Sequence, residues 1–315
     1  MIFYGFSDTL HAVSAELPHF PTLSAQYRFW VGYLSADALP PLAPALSLPE
    51  ETVRQCGEVR YFHNALEVGE HYSFATVKRT GGNESGEDCI ALYLLKNGFL
   101  IVDIRDSDGS TRKGFDAALY RHPAATVSKG QLLAAFLDTL TEGDGKLLEE
   151  MAFRFSALEK EVLQDKATDD FTVRLLQHKQ QLLLLHSYYQ QLTEIATSLS
   201  EDENHLLQRG EARHFRRFAD RAERLSRTVS TLREELGQLR EAYQSVLDLR
   251  QNTIMKTFTV LSAIFLPLSL IVGWYGMNFA YMPELHWRFG YPLVAVLCAL
   301  VVFICIKIFK KHHWM

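Results

Sequence analysis

Glu234, Gln238, Glu241, Ser245, Asp248, Asn252 and Met255 recur at alternating spacings of four and three, and the count continues through Thr259, Ser262, Leu266, Ser269 and Gly273. On a helix that spacing places them all on one face. The face starts acidic and amide-bearing, then turns small or hydroxylated with one Leu. Small and hydroxyl residues at this spacing suit two readings. They let helices pack closely in a bilayer. They also let several copies of one helix surround an axis, with this face lining a pore and the acids gathering cations at its inner mouth. The spacing alone leaves both open. The pore reading requires a homo-oligomer, since one hairpin cannot enclose a channel.

Two apolar runs carry the far end of this face. Thr257 to Trp274 holds no charged side chain, and a second run begins at Tyr291-Pro292 and stays apolar through Ile306. Each matches the length of a helix crossing a hydrocarbon core of roughly 30 Å. The loop between them is too short for a domain, so the pair reads as a helical hairpin in a bilayer. Buried helices of a soluble core are the competing reading, but such helices rarely go about 18 residues without a charge. Arg240, Arg250 and Lys256 approach the first run, and Lys307, Lys310, Lys311, His312 and His313 end the second. Positive flanks stay inside, so both termini are expected in the cytoplasm and the loop outside, in a multi-pass cytoplasmic (inner) membrane protein. Trp274, Tyr275, Trp287 and Tyr291 at the outer ends and Trp314 at the inner end suit an aromatic belt. The opening Met1-Ile2-Phe3-Tyr4-Gly5-Phe6 lacks the pattern of a signal peptide.

Ahead of the hairpin lie roughly 250 residues, enough for one or two domains with real cores. Tyr27 to Leu34, Ile90 to Leu95 and Phe99 to Ile104 read as strands, with Lys96-Asn97-Gly98 a hairpin signal suited to positive φ. Gly81 to Gly86 reads as a surface turn. From about residue 127 the pattern is helical: Leu132, Leu133, Phe136, Leu137 and Leu140 recur at helical spacing, the pattern resumes from Leu147 to Leu163, and Gly143 and Gly145 would bend it. A further helix spans about Asp170 to Leu199. From Leu206 no proline occurs until Pro267. Over that stretch Phe218, Ala222, Leu225, Val229, Leu232, Leu236, Leu239, Tyr243 and Val246 form an apolar seam two positions out of step with the polar face. Continued into the first run, this helix would be roughly 100 Å long.

Other motifs are bland. Cys56 and Cys89 are isolated, Cys298 and Cys305 lie in the second run, and no CxxC pair suggests a disulfide framework or thiolate zinc site. A net charge of -5 leaves no nucleic-acid footprint. Asp106-Ser107-Asp108-Gly109 lacks calcium-loop spacing and reads as a turn. Asn83-Glu84-Ser85 is a sequon that a cytoplasmic segment would leave unmodified, and exposed tail histidines such as His312-His313 usually hold nothing specific. No Walker loop, nucleophile elbow or catalytic acid pair stands out, so no enzyme activity and no cofactor are expected.

Pro267, Tyr275-Gly276-Met277-Asn278-Phe279, Met282-Pro283-Glu284-Leu285 with Trp287, Gly290-Tyr291-Pro292 and the Lys310-Lys311 tail together closely resemble the CorA family of divalent-cation transporters. The match is strongest over about residues 243–315 and extends less specifically over the stalk. The resemblance implies a homopentameric channel for Mg²⁺, with Co²⁺ or Ni²⁺ as further cargo, whose partners are its own copies, the lipid bilayer and the cations. Gly276, Met277 and Asn278 would form the outer selectivity ring, with Asn278 touching the ion through its water shell. Neutral oxygens suit Mg²⁺, which dehydrates reluctantly. Asn252, Met255, Leu266 and Ser269 would fall on the pore face together with Thr259, Ser262 and Gly273, with Met255 and Leu266 as apolar constrictions. Glu234, Glu241 and Asp248 would concentrate cations in an inner funnel. The family closes when Mg²⁺ fills acidic sites between cytoplasmic domains, yet one such position falls on Arg217 here, with Glu211 and Asp220 the nearby acids. A zinc-transporting branch of the superfamily, or a two-span receptor that does not transport, are the alternatives.

The expected fold is thus an α+β membrane protein. Its layout is a cytoplasmic α/β domain at 1–125, a helical bundle at 126–205 and a stalk helix at 206–256 running on into a pore-lining span at 257–275. An outer loop at 276–290, a second span at 291–309 and a basic tail at 310–315 complete it.

Overall fold

The computed structural model describes residues 1–13, 20–57, 66–79, 88–164, 166–168, 170–277, 282 and 287–312. They fall into two units, Met1–Glu161 with Ala167–Gly237, and Val162–Lys166 with Gln238–Met315. The Gly81 to Gly86 turn, the Asn83 sequon, His313 and Trp314 lie outside the described residues.

In the first unit, strands β1 (Ile2–Phe6), β2 (Leu10–Val13), β3 (Phe29–Ser35), β4 (Glu67–Val68), β5 (Tyr72–Arg79), β6 (Asp88–Leu95) and β7 (Gly98–Arg105) form one sheet. Their order is β2-β1-β3-β7-β6-β5-β4. The central pair β3 and β7 is parallel and the others antiparallel. Every residue of β6 is buried, so both sheet faces are covered. On one face Phe3, Trp30, Leu34, Tyr93 and Leu100 share a core with Phe20 of α1 (Phe20–Gln26), Ala43 of α2 (Ala43–Leu46) and Cys56 of α3 (Glu50–Gly57). On the other, Tyr33 meets Phe115 of α4 (Ser110–Tyr120) at 5.3 Å between ring centres, and Phe115 meets Phe136 of α5 (Lys129–Leu140) at 6.2 Å.

The helices that follow belong to the same unit rather than to a separate bundle. Helix α5 does not bend into α6 (Asp144–Leu163). It stops, because Gly143 takes a left-handed φ of 87°. On α7 (Phe171–Glu201), Tyr188 donates to the Leu140 carbonyl at 2.9 Å, and the buried Gln191 amide donates to the Thr76 carbonyl of β5 at 2.7 Å while accepting from Lys78 N at 3.4 Å. The next helix, α8 (Ala212–Tyr275), begins six residues later than the apolar pattern suggested. Positive φ values at Asp202, His205 and Gly210 make a non-helical connection of the intervening stretch. Within this unit Phe218, Ala222, Val229, Leu232 and Leu236 of the seam are buried.

The second unit holds the rest of α8 and α9 (Gly290–Lys311), each long and apolar enough to cross a membrane. Only 6% of the α8 window and 0% of the α9 window is buried within the chain. Helices of a soluble core would be covered, so that reading fails on exposure.

The hairpin between β6 and β7 has a different logic from the one its Asn-Gly suggests. Neither Asn97 nor Gly98 takes a positive φ. Gly98 instead sits opposite Trp30 in the parallel pair, where an added Cβ would lie 2.3 Å from the Trp30 carbonyl oxygen. Backbone cannot move aside as a side chain can. Gly98→Ala is therefore expected to destabilise the first unit by about 1–3 kcal/mol through overpacking. Urea unfolding followed by tryptophan fluorescence checks this, and a wild-type midpoint would show that the strand pair slides without cost.

Candidate functional site

The polar face predicted from spacing lies on the one continuous helix α8. Glu234, Gln238, Glu241, Ser245, Asp248, Asn252, Met255, Thr259, Leu266, Ser269 and Gly273 are all exposed, and Ser262 is half-buried. Glu234, Glu241 and Asp248 form no ion pair among the described residues, so their charge is not neutralised within the chain. Leu266 is 70% and Met255 56% exposed, and Leu266 belongs with exposed Leu261, Phe265, Leu270 and Val272 to a contiguous apolar surface of the kind that marks an interaction or membrane site.

Four hydroxyls on this stretch are already oriented. Thr259 Oγ1 donates to the Met255 carbonyl at 2.8 Å and Ser245 Oγ to the Glu241 carbonyl at 3.0 Å; Thr253 and Thr257 bond one turn back in the same way. Each hydroxyl proton is thereby committed to the helix, leaving oxygen lone pairs as acceptors. Such a face offers oxygen to a cation or its water shell. At Gly273 an added Cβ would meet nothing within 4 Å, so the glycine leaves open space beside the helix.

Helix α8 ends into the Gly-Met-Asn segment. Gly276 N donates to the Val272 carbonyl at 2.9 Å, and Met277 N to the Trp274 carbonyl at 3.4 Å. A Cβ at Gly276 would come 3.1 Å from the Val272 oxygen, which is tight. Asn278, the residue expected to touch the hydrated ion, lies outside the described residues.

Pro267 sits inside α8 and has no N–H, so the Ala263 carbonyl loses its usual partner four residues on. The Cys305 thiol of α9 donates to that carbonyl at 3.7 Å. In hydrocarbon no water could take that place. Spacing could not reveal this contact, because it joins two helices far apart in sequence.

Around the position where the resemblance implied an acid, Arg217 is exposed on α8 and so is Asp220. Glu211 is not available to bridge to a cation. It is 4% exposed, and its two oxygens accept from Gly130 N at 2.9 Å and Gln208 N at 2.7 Å. A different acidic group was missed in the sequence: the carboxylates of Asp88, Asp106 and Asp108 lie within 4.8 Å of one another. They serve the turn between β7 and α4. Asp88 accepts from Ser107 N and Oγ, Asp108 from Ser110 N, and Asp106 from Arg112 N and Tyr33 OH. The turn reading of Asp106 to Gly109 holds, with Asp88 as its unforeseen anchor.

The family model described as CorA-like Mg²⁺ transporter protein matches residues 28–311. A cobalt/magnesium transport protein CorA of Thermotoga maritima is 31% identical over 229 residues, 73% of this chain and 62% of that protein. A putative metal ion transporter of Bacillus subtilis is 41% identical over 107 residues, 34% of each chain. The matched region thus spans less than two thirds of either relative. Among solved structures, the CorA magnesium transporter of Methanocaldococcus jannaschii superposes with a TM-score of 0.80 at 20% identity, over 100% of this chain and 98% of that one. That likeness is one of fold.

The bond between Cys305 and Ala263 has a measurable consequence. Cys305→Ala is expected to destabilise the full chain by about 0.6 kcal/mol, the typical weight of one interhelical hydrogen bond in a membrane. Cys305→Ser, which keeps a donor, should restore it. Thermal unfolding in nanodiscs reads the difference, and an unchanged midpoint in the alanine variant would mean the carbonyl is satisfied elsewhere.

Proposed function

This chain belongs to the CorA-like Mg²⁺ transporter family, and we propose that it moves divalent cations, Mg²⁺ foremost, across the cytoplasmic membrane through a homopentameric pore. The observation that carries this reading is the exposed face of α8, acidic at Glu234, Glu241 and Asp248 and then hydroxylated or small as the helix enters its apolar window. In a lone chain such a face has no purpose. Around an axis it becomes a path: carboxylates raise the cation concentration at the inner mouth, and the hydroxyl oxygens accept from the water shell of the passing ion.

Both termini lie in the cytoplasm in this reading, and residues 276–290 face outward. Asn278 amides from the copies, with nearby carbonyls, hold the hydrated ion at the outer entrance without the tight grip of a carboxylate ring. Met255 and Leu266 form apolar constrictions, where expulsion of water blocks passage in the closed state. Mg²⁺ is cargo; neither an enzymatic step nor a cofactor has a place in this scheme. Ion-dependent uptake by the purified protein in liposomes tests transport. Competition by Co²⁺, Ni²⁺ and Zn²⁺ tests which ion the path prefers.

Asn278→Ala is expected to abolish Mg²⁺ uptake while leaving the assembled oligomer intact on size-exclusion chromatography. Near-normal flux in that variant would sink the assignment of the outer ring.

Regulation by cytoplasmic Mg²⁺ is expected to be weak or displaced. An arginine cannot ligate the ion, and Arg217 between subunits would repel it by roughly 1 kcal/mol or more at close range. Limited proteolysis of the wild type across a Mg²⁺ titration should change little, and Arg217→Asp should gain Mg²⁺-dependent protection. Strong protection of the wild type at low Mg²⁺, with nothing added by the substitution, would overturn this.

A further inference from the structure

Counted back from Glu234 in the same alternation of three and four, the polar face of α8 continues through Thr231, Arg227, Arg224, Asp220, Arg217 and Arg213. Every one of these residues is exposed. The face therefore reverses sign: it is acidic from Glu234 onward and basic before it, in a chain whose net charge is -5. Arg227 is paired with Glu223 at 2.6 Å. Arg213, Arg217 and Arg224 form no ion pair among the described residues.

Little on the chain offsets these three charges. Asp220 is the one acid on this part of the face. Glu211 is buried, and its two oxygens already accept from Gly130 N and Gln208 N. The first turn of α8 holds no acid, so the cations crowd a helix end that is itself partly positive. His214 registers the surplus. Burial first, then Arg213 and Arg217, and more weakly His122 of the α4–α5 connection hold its imidazole below the ordinary pKa, with Glu211 opposing them. Like charges gathered in this way repel, and a counter-charge relieves them.

We propose that this arginine face is a binding site for a soluble phosphate polyanion, inorganic triphosphate or the triphosphate of a nucleotide. Guanidinium forks match phosphate oxygens two at a time. Arg213 and Arg217 are one turn apart, with about 5–6 Å between their Cβ atoms, a spacing that suits neighbouring phosphoryl groups. Arg224 stands two turns further on and extends the grip along the anion. A lone carboxylate would meet one such charge and gain little in water, whereas a chain of phosphoryl groups meets several at once. The face carries no aromatic or aliphatic side chain on which a base could stack, so the triphosphate is the part recognised. The site stands whether or not the chain carries cations.

Isothermal titration calorimetry of the full chain in phosphatidylcholine nanodiscs, at low salt and without metal, tests this with sodium tripolyphosphate, ATP and adenosine. Tripolyphosphate and ATP should bind alike, adenosine should not bind, and both affinities should fall as salt is raised. Combining Arg213→Gln, Arg217→Gln and Arg224→Gln should weaken binding about tenfold, the summed weight of three exposed charge pairs. Removing as much charge from exposed positions of α6 and α7, through Arg154→Gln, Lys160→Gln and Lys179→Gln, should leave it unchanged. No binding of tripolyphosphate, binding of adenosine, equal losses in the two triple variants or unchanged affinity in the first overturns the proposal. So does binding that vanishes in nanodiscs containing phosphatidylglycerol, because a lipid headgroup would then be the occupant. Where the arginine triple does not fold, Arg217→Glu decides: its affinity should drop about fivefold, and an unchanged value overturns the proposal as well.

Discussion

One helical ladder running through the 64 residues of α8 is the constraint on which the candidate site depends. Only a helix satisfies its own backbone both in water and in hydrocarbon, so only a helix can carry one registered face from one medium to the other. Register is what matters here. A one-residue slip anywhere between Glu234 and Gly273 would turn the polar face about 100° away from itself, and acid, amide and hydroxyl would no longer line up. Pro267 is the one point where the ladder must lose a rung. There a side chain of α9 takes over the orphaned carbonyl.

The first unit solves a different problem, that of holding a mixed sheet between two sets of helices. Its centre is the parallel pair of β3 and β7, brought so close at Trp30 and Gly98 that no side chain fits. Aromatic contacts then spread outward on both faces, through Phe20 on one and through Phe115 and Phe136 on the other. Polar groups close the joints where apolar packing ends. Glu211 and Gln191 are buried, yet both are spent on backbone partners, as buried polar groups must be.

Much of this was legible in the sequence, for physical reasons that differ by element. The apolar windows of α8 and α9 and the face from Glu234 to Gly273 show because helical periodicity accumulates over many turns. The strands at β3, β6 and β7 show because their apolar runs end at turn residues. The start of α8 did not show, since Leu206 fits the apolar pattern while its backbone belongs to a connection set by the left-handed Asp202 and His205, residues not marked by glycine. Strands β1, β2, β4 and β5 escaped notice: the first three are short, β2 and β4 are edge strands with little burial to imprint a pattern, and β5 mixes Ser73, Ala75 and Thr76 into its buried run. Asp88 went unread as the anchor of the turn beside Ser107, because the contact joins the first residue of β6 to the turn that follows β7.

Gln191 leaves one more mark on the molecule. Among the described residues, strand β4 pairs with β5 at Phe74 and Ser73. Bare strand rims recruit the rims of other molecules. A glutamine amide sets an N–H donor beside a carbonyl acceptor, as a peptide group does, and at Thr76 and Lys78 it occupies the positions a visiting strand would need. A side chain from α7 thus stands in for a neighbouring strand's peptide group at this point of the sheet.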